Sequence, residues 1–270
     1  MAGPFFTVLE APNINGYDPR RRREPASAQP ASVPRPFVDA MSVRLAVFVD
    51  EQGVPPDAEL DEDDPRSCHL PRQAPLGTVR VVPYPQPPHP QPGAAYTIIN
   101  GENVLQGHWV APTDGTATTT SGQGAGDKAG LVYVPAAAGA PSVEVAAAAA
   151  DRPTALHDGR EPYVKIGRLA VVQSARGQRL GQLLVEKALD WIRTHPDAFD
   201  RPPFAAAAAA ASPSGTPAAQ FNGLVCVHAQ AHLDKFYERL GFVVDKDMGT
   251  WWEEGIPHVG MFQRVDLLRS

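Results

Sequence analysis

The thirty residues from Val164 to Arg193, VKIGRLAVVQSARGQRLGQLLVEKALDWIR, constrain this chain more than any other stretch. Lys165 to Val172 is apolar and β-branched enough for a buried strand. Gln173 to Gly177 is small and polar, without apolar periodicity, and reads as a tight turn. From Leu180 onward, Leu183, Leu184, Ala188, Leu189 and Ile192 fall on one face of a helix. His195-Pro196 ends that helix, because proline disfavours helical geometry in the residue before it. Strand, turn and helix in that order place the unpaired N–H groups of a helix start beside a strand end, which is an anion site. Gly177 lets backbone approach a phosphate closely, and Arg176 and Arg179 add charge-assisted donors. On the glycine pattern alone, an ordinary strand–turn–helix with surface arginines competes evenly with a phosphate site.

The chain is long enough for one large domain or two small ones, at 270 residues of which 43% are hydrophobic. A net charge of -6 argues against a nucleic-acid partner. Cys68 and Cys226 form no disulfide framework and no zinc spacing, and each is expected to be a buried small residue. No His/Cys/Asp cluster has ligand spacing, so no metal is expected. The start, MAGPFFTVLEAPN, lacks a basic segment followed by an apolar run, and no apolar run approaches the ~20 residues needed to cross a bilayer. The expectation is a protein of a reducing compartment, the cytoplasm with the nucleus open to it, acting without a membrane.

Ahead of the central stretch, Phe5 to Leu9 is a weak strand candidate and Arg20 to Arg23 a basic run, read as a solvated loop. Pro36 suits a helix first turn, and Phe37, Met41, Leu45 and Phe48 follow at helical spacing up to Gly53. Asp57, Glu59, Asp61, Glu62, Asp63 and Asp64 then crowd together, as a solvated loop or as an attractive surface for a cationic amine. Cys68 to Leu70 and Leu76 to Tyr84 predict an antiparallel pair. Residues 85 to 160 and about 200 to 220 are rich in Pro, Gly and Ala and read as low-complexity insertions that cannot bury much apolar surface. Within the first, Tyr96 to Ile99, Val104 to Val110 and Leu131 to Val134 could extend the sheet or pair as a hairpin. Leu224 to His228 predicts a strand, Gln230 to Leu240 a helix closed by Gly241, and Phe242 to Val244 and His258 to Val265 further strands.

Several separated stretches resemble the GNAT superfamily of N-acetyltransferases, in its ElaA-like branch. Arg176-Gly177-Gln178-Arg179-Leu180-Gly181 is similar to the family's acetyl-CoA motif, Gln/Arg-x-x-Gly-x-Gly/Ala. Arg179 stands where that pattern has its first glycine and offers a side-chain contact in its place. Arg44 through His69 resembles the branch's N-terminal signature, and Gly255-Ile256-Pro257-His258-Val259-Gly260-Met261 its ending. Ala229 to Phe242, with Phe236-Tyr237 and Leu240-Gly241-Phe242, resembles the second family signature. The resemblance covers roughly 36–84, 161–195 and 222–265.

The resemblance implies an α/β fold, a mixed twisted sheet with helices on both faces, as one GNAT domain over 1–270 with the two insertions. It implies acetyl transfer from acetyl-CoA to a primary amine by direct attack in a ternary complex. It implies cofactor contacts from Arg176, Gly177, Gln178, Arg179, Leu180 and Gly181, from the backbones of Leu169, Ala170 and Val171, and from Gln230. Tyr237 would sit near the sulfur as general acid. An ammonium acceptor has a pKa of about 10.4 and must lose a proton before it attacks, so the site also needs a base. Glu51 and Asp61 are taken as acceptor-binding residues and His69 or His258 as proton carriers, with His228 a further candidate. The acidic loop favours a small cationic acceptor, an amino sugar or a polyamine; a protein lysine and a non-catalytic acyl-CoA-binding module are the alternatives. The oligomeric state is left at monomer or homodimer.

Overall fold

The computed structural model describes residues 6–70, 75–99, 102–111, 130–136, 151–200 and 220–269. Among them, ten strands form one mixed sheet in the order β1-β2-β6-β7-β10-β9-β3-β4-β5, with β8 attached to β10. Its centre is β6 (Tyr163–Val171), antiparallel to β2 (Gly77–Val82) on one side and parallel to β7 (Leu224–Gln230) on the other. The edge strand β1 (Cys68–His69) pairs with β2. Beyond β7 come β10 (Ile256–Arg264) and β9 (Thr250–Glu253), with the two-residue β8 (Val243–Val244) also on β10.

Helix α2 (Leu180–Thr194) covers β2 and β6 from one face. Its apolar stripe of Leu180, Leu184, Val185, Ala188, Trp191 and Ile192 is buried against Val79, Val81, Val164, Ile166, Val225 and Val227. Each fully buried aliphatic side chain there contributes roughly 1.5–3 kcal/mol. Leu184, fully enclosed, is the change that would hurt most, at about 2–5 kcal/mol on truncation to Ala. Helix α1 (Arg35–Arg44) lies on the opposite face, where Val43 and Val47 pack on Ala170. Pro36 sits in its first turn, and the helix widens into a π-helical segment, Leu45–Glu51, that ends before Gly53. Helices on both faces of a mixed sheet give the expected α/β architecture.

Two expectations change on contact with the structure. The predicted helix from Gln230 to Leu240 is much shorter: β7 runs through Gln230, a single 3-10 turn follows (Ala231–Leu233), and α3 spans Asp234–Glu238. The apolar spacing was right, but the backbone of Gln230 is held by its pairing with His258 on β10. Gly241, at φ 92°, does close α3, with the Phe242 N–H donating to the Tyr237 carbonyl at 3.1 Å. The second change concerns residues 85–160. β3 (Ala94–Ile99), β4 (Glu102–Val110) and β5 (Val132–Pro135) extend the sheet through a parallel pairing of β3 with β9. Ala94 and Tyr96 are buried there with Trp251, Met248 and Phe262, so part of this stretch adds to the core. The Gly-rich run at 112–129 and the alanine tracts at 146–150 and 205–211 lie outside the described residues. Both cysteines are buried and free.

Candidate functional site

The two parallel central strands part company halfway along. β6 and β7 pair from Tyr163↔Leu224 to Ile166↔Val227 and no further. β6 nevertheless runs on to Val171, held by β2, and β7 runs on to Gln230, held by β10. A wedge therefore opens between them, and the edge of Gly167–Val171 that faces β7 has no strand partner. The cause is local. The register of β6 on β2 shifts between Thr78 and Arg80, and Arg168 adopts φ 49°, so β6 carries a bulge that bends it away. Leu169, Ala170 and Val171, the residues expected to act through their backbones, line this wedge.

The head of α2 stands at the open end of β6. Val171 leads into a 3-10 turn (Gln173–Ala175), then Arg176 and Gly177, with Gly177 at φ 77°. Arg179 is the N-cap residue at φ 58°, and no side chain caps the helix. The first N–H groups of α2 are thus left for a ligand, with the positive end of the helix dipole behind them. Arg179 keeps the left-handed conformation that a glycine would take freely, so the departure from the family motif changes the side chain and preserves the turn. Arg176 donates from Nε to the Val171 carbonyl at 3.0 Å and pairs with Glu51 at 2.5 Å. Both partners of that pair are substantially exposed, so it is worth little and an incoming anion can displace Glu51. Gly177, Gln178 and Arg179 are exposed, whereas the Leu180 side chain is core.

The short helix α3 closes the wedge from the α2 side. A Cβ on Gly181 would meet Phe236 at 3.8 Å, which puts α3 against the head of α2. Tyr237, the next residue, is 6% exposed, edge-on to Phe236 and Phe242. Its hydroxyl makes no hydrogen bond to a described residue, and burial alone raises its pKa well above the ordinary phenol value. On the opposite side Gln230 Nε2 donates to Gln52 Oε1 at 3.0 Å, so the end of β7 and the π-helical segment meet across the mouth. Glu51 and Gln52 thus contact the head of α2 and the end of β7 respectively.

Beyond Gln230, on the sheet face away from α2, lies a polar cluster that includes one residue sequence reasoning missed. His228 Nδ1 is 3.9 Å from Glu253 Oε1, which also accepts from Trp251 Nε1 at 2.8 Å. Trp251 is edge-on to His228 and stacked on His258. Burial would raise the Glu253 pKa, but His258, His228, the Trp251 donor and Lys165 outweigh it and hold the carboxyl near 2. Burial, helped by Lys165, pushes His228 down to about 3, so it is neutral at working pH. His258 Nδ1 lies 2.9 Å from the Ile256 carbonyl, which can only accept, so Nδ1 carries the proton and Nε2 presents a lone pair. Glu253 had a signal in the sequence: it stands two residues before Gly255, in Trp251-Trp252-Glu253-Glu254-Gly255. Its partner histidines, though, come from two other strands.

Asp61 and His69 fall elsewhere. Asp61 binds Arg80 through both oxygens, at 2.6 and 2.9 Å, and Arg168 at 3.0 Å. Asp64, fully buried, pairs with Arg44 at 2.6 Å and Arg80 at 2.9 Å, and Glu59 with Arg44 at 2.5 Å and Arg168 at 3.3 Å. Burial would raise Asp64, but Arg44 and Arg80 hold it far below the usual carboxylate range. Much of the acidic run is therefore neutralised from within, by arginines on α1, β2 and β6. His69 is 1% exposed, its Nε2 on the Asp64 carbonyl at 2.9 Å, its ring edge-on to Phe37, and its pKa pushed down to about 4 by burial. The structure brings Arg176, Gly177, Glu51, Gln230 and Tyr237 around one wedge, sets His258 beside it, and keeps Asp61 and His69 inside the packed network.

Part of the chain is similar to known proteins. Residues 131–210, which include all of β6, the turn and α2, match the family model "Acetyltransferase (GNAT) family". A segment of the chain is thus similar to the GNAT acetyltransferase family. Protein ElaA of Escherichia coli K12 is 33% identical over 108 residues, 40% of this chain and 53% of ElaA, and ElaA of Shigella flexneri matches equally. The chain thus spans about half the length of the curated relatives it matches. The crystal structure of Escherichia coli ElaA aligns over 97% of this chain and 99% of that one, at 17% identity and a TM-score of 0.43. An acyl-CoA N-acyltransferase from Pseudomonas aeruginosa aligns over the same shares at 18% identity and the same TM-score. No described helix is long and apolar enough to cross a membrane.

Proposed function

We propose that this chain moves the acetyl group of acetyl-CoA to the primary amine of a small cationic acceptor, by direct attack in a ternary complex. The observation that carries the proposal is the wedge between β6 and β7, with the uncapped head of α2 at its mouth. A pantetheine arm carries amides, and the unpaired edge of Gly167–Val171 offers them strand-like hydrogen bonds. The pyrophosphate falls to the N–H groups of α2 and to Arg176 and Arg179.

The acceptor enters from the other side, between the π-helical wall and the face of β7, β10 and β9. Glu253 supplies the negative charge that holds an ammonium. His258 Nε2 takes its proton, directly or through one water. The free amine attacks the thioester carbonyl, the C–S bond breaks, and charge develops on sulfur. Tyr237 meets it with an O–H that burial keeps protonated. Because a thiol has a pKa of about 8.5, a phenol raised above 10 stabilises the thiolate by a hydrogen bond more readily than by full proton transfer. A partly exposed carboxylate suits the ammonium of an amino sugar or a polyamine; the proposed unit is a single GNAT domain bearing the two insertions.

The test is acetyl-CoA-dependent thiol release against glucosamine and its phosphate, polyamines, aralkylamines and lysine peptides. Saturable release with one class of small amine supports the reading and names the acceptor. Turnover of the peptides alone would reassign the acceptor to protein lysine. Acetyl-CoA binding without any turnover would reduce the chain to a binding module. With the acceptor in hand, Tyr237→Phe should lower kcat by about 100-fold or more while KM for acetyl-CoA stays within threefold. A kcat within threefold of the parent would remove Tyr237 from the chemistry.

A further inference from the structure

A second polar cluster lies away from the wedge, where the two ends of the 85–160 stretch meet. His89, Asp151 and His157 each present one donor atom, all within 4.8 Å of one another. We propose that these three side chains form a binding site for one divalent first-row transition ion, zinc in the first instance, that fastens the base of the 85–160 stretch to the sheet.

The donors are already arranged as ligands. His89 Nε2 is 2.8 Å from His157 Nδ1 and 3.4 Å from Asp151 Oδ2. Two ligands 2.0–2.1 Å from a tetrahedral zinc lie about 3.3 Å apart, so one pair needs no movement and the other must widen by about half an ångström. His157 Nε2 lies 2.8 Å from the Glu161 carbonyl, which fixes its proton there and leaves Nδ1 as a bare lone pair. A backbone carbonyl on the far nitrogen is what orients a metal-bound imidazole. Asp151 is oriented likewise: its Oδ1 accepts from the His89 and Arg152 amides, both at 2.9 Å, and Oδ2 is left towards the imidazoles. The Arg152 guanidinium, which could have neutralised Asp151, turns instead to the carbonyls of Pro90 and Asp247 at 2.9 Å.

A purely hydrogen-bonded reading leaves the cluster unfinished. With His157 Nδ1 as acceptor, His89 must donate from Nε2, and its Nδ1 is then a buried lone pair without a partner among the described residues. Ion binding shifts that proton to Nδ1 and frees Nε2 to ligate; the imidazole stays neutral, and the Nδ1–H has no acceptor among the described residues, as the lone pair had no donor. Tyr163 and Phe262 wall the site, and His89 and His157 are 2% and 4% exposed, so the ion is shielded from bulk water. Two imidazoles and a carboxylate suit zinc and its neighbours, whereas magnesium and calcium prefer oxygen alone. The spacing that betrays such a site in sequence is missing, because His89 is 62 residues from Asp151 and 68 from His157.

The experiment uses the untagged full chain, stripped with EDTA, dialysed metal-free and titrated with zinc chloride. Bound zinc by elemental analysis should reach one equivalent, and the melting temperature should rise as it does. Asp151→Asn and His157→Gln should each weaken binding at least tenfold in a chain still folded by circular dichroism. Should His157→Gln fail to fold, cobalt(II) in the parent chain gives an independent reading: d–d bands of tetrahedral intensity that zinc abolishes. Absence of a bound equivalent would overturn the site, and so would an equivalent held with unchanged affinity by both variants.

Discussion

On the sheet face away from α2, two buried charge clusters flank the wedge, and they are built on opposite rules. On the β2 and β6 side, Glu59, Asp61 and Asp64 meet Arg44, Arg80 and Arg168, so every carboxylate has at least one guanidinium. On the β7 and β9 side, Glu253 stands with neutral His228, an indole donor, His258 and the charge of Lys165, and no arginine pairs with it among the described residues. The first cluster is closed. It spends its charges on one another and fixes the position of α1 and the bulge at Arg168. The second is looser: Glu253 has an indole donor and histidines for partners, with the charge of Lys165 close enough to act on it. Density of acidic residues in sequence therefore marks the cluster that is paired with arginines, whereas the proposed acceptor residue is a glutamate outside that run.

Opening the closed cluster should produce the largest effect. Arg44 is 1% exposed, and its guanidinium serves both Asp64 and Glu59, including the Glu59 carbonyl. Arg44→Met keeps much of the volume and leaves Asp64 with Arg80 alone and Glu59 with Arg168 alone, at about 3 kcal/mol. Urea denaturation should show a lower midpoint at unchanged slope. A loss under 1 kcal/mol would mean the cluster is hydrated and the contrast is false.

Glu253→Gln probes the looser cluster, where the cost should appear in catalysis. The amide keeps the Trp251 contact and loses the charge that holds an ammonium. We expect kcat/KM for the amine to fall about 100-fold, or about 2.7 kcal/mol, with stability within about 1 kcal/mol of the parent. An uncharged rate with a marked loss of stability would make Glu253 a structural residue like those across the wedge.

The two clusters also show how far sequence carries. The strand–turn–helix at 164–193 was legible because its apolar period and its glycine turn are local, and the structure places β6, the 3-10 turn and α2 there. The wedge was not legible from residues, since Leu169, Ala170 and Val171 read as any strand; only the family resemblance pointed to their backbones. The packing of Asp61 and His69 into the arginine network was not legible, because arginine partners arrive from residues 44, 80 and 168, and pairing across such distances leaves no local trace. Gln230 was assigned to a helix because its pairing with His258 on β10 is equally non-local. Glu253 was overlooked for the mirror reason: two glutamates after two tryptophans carry no distinctive charge pattern, and the histidines near Glu253 come from neighbouring strands.

Asp61→Asn should have the smallest catalytic effect and therefore draws the contrast most sharply. The substitution is nearly isosteric and removes the charge that Arg80 and Arg168 share. Breaking buried charge-assisted hydrogen bonds costs about 1.5–3 kcal/mol, so the folded chain should be measurably weaker. Its KM for the amine should nevertheless stay within about twofold, under about 0.5 kcal/mol, because a carboxylate already bound to two guanidiniums has no attraction left for an ammonium. Steady-state kinetics on the folded variant decides the matter. A tenfold rise in KM for the amine, at unchanged KM for acetyl-CoA, would show that the network opens during turnover and that the acidic loop is the acceptor wall after all. An unchanged KM beside the Glu253→Gln loss would fix the acceptor on the β7 side of the wedge.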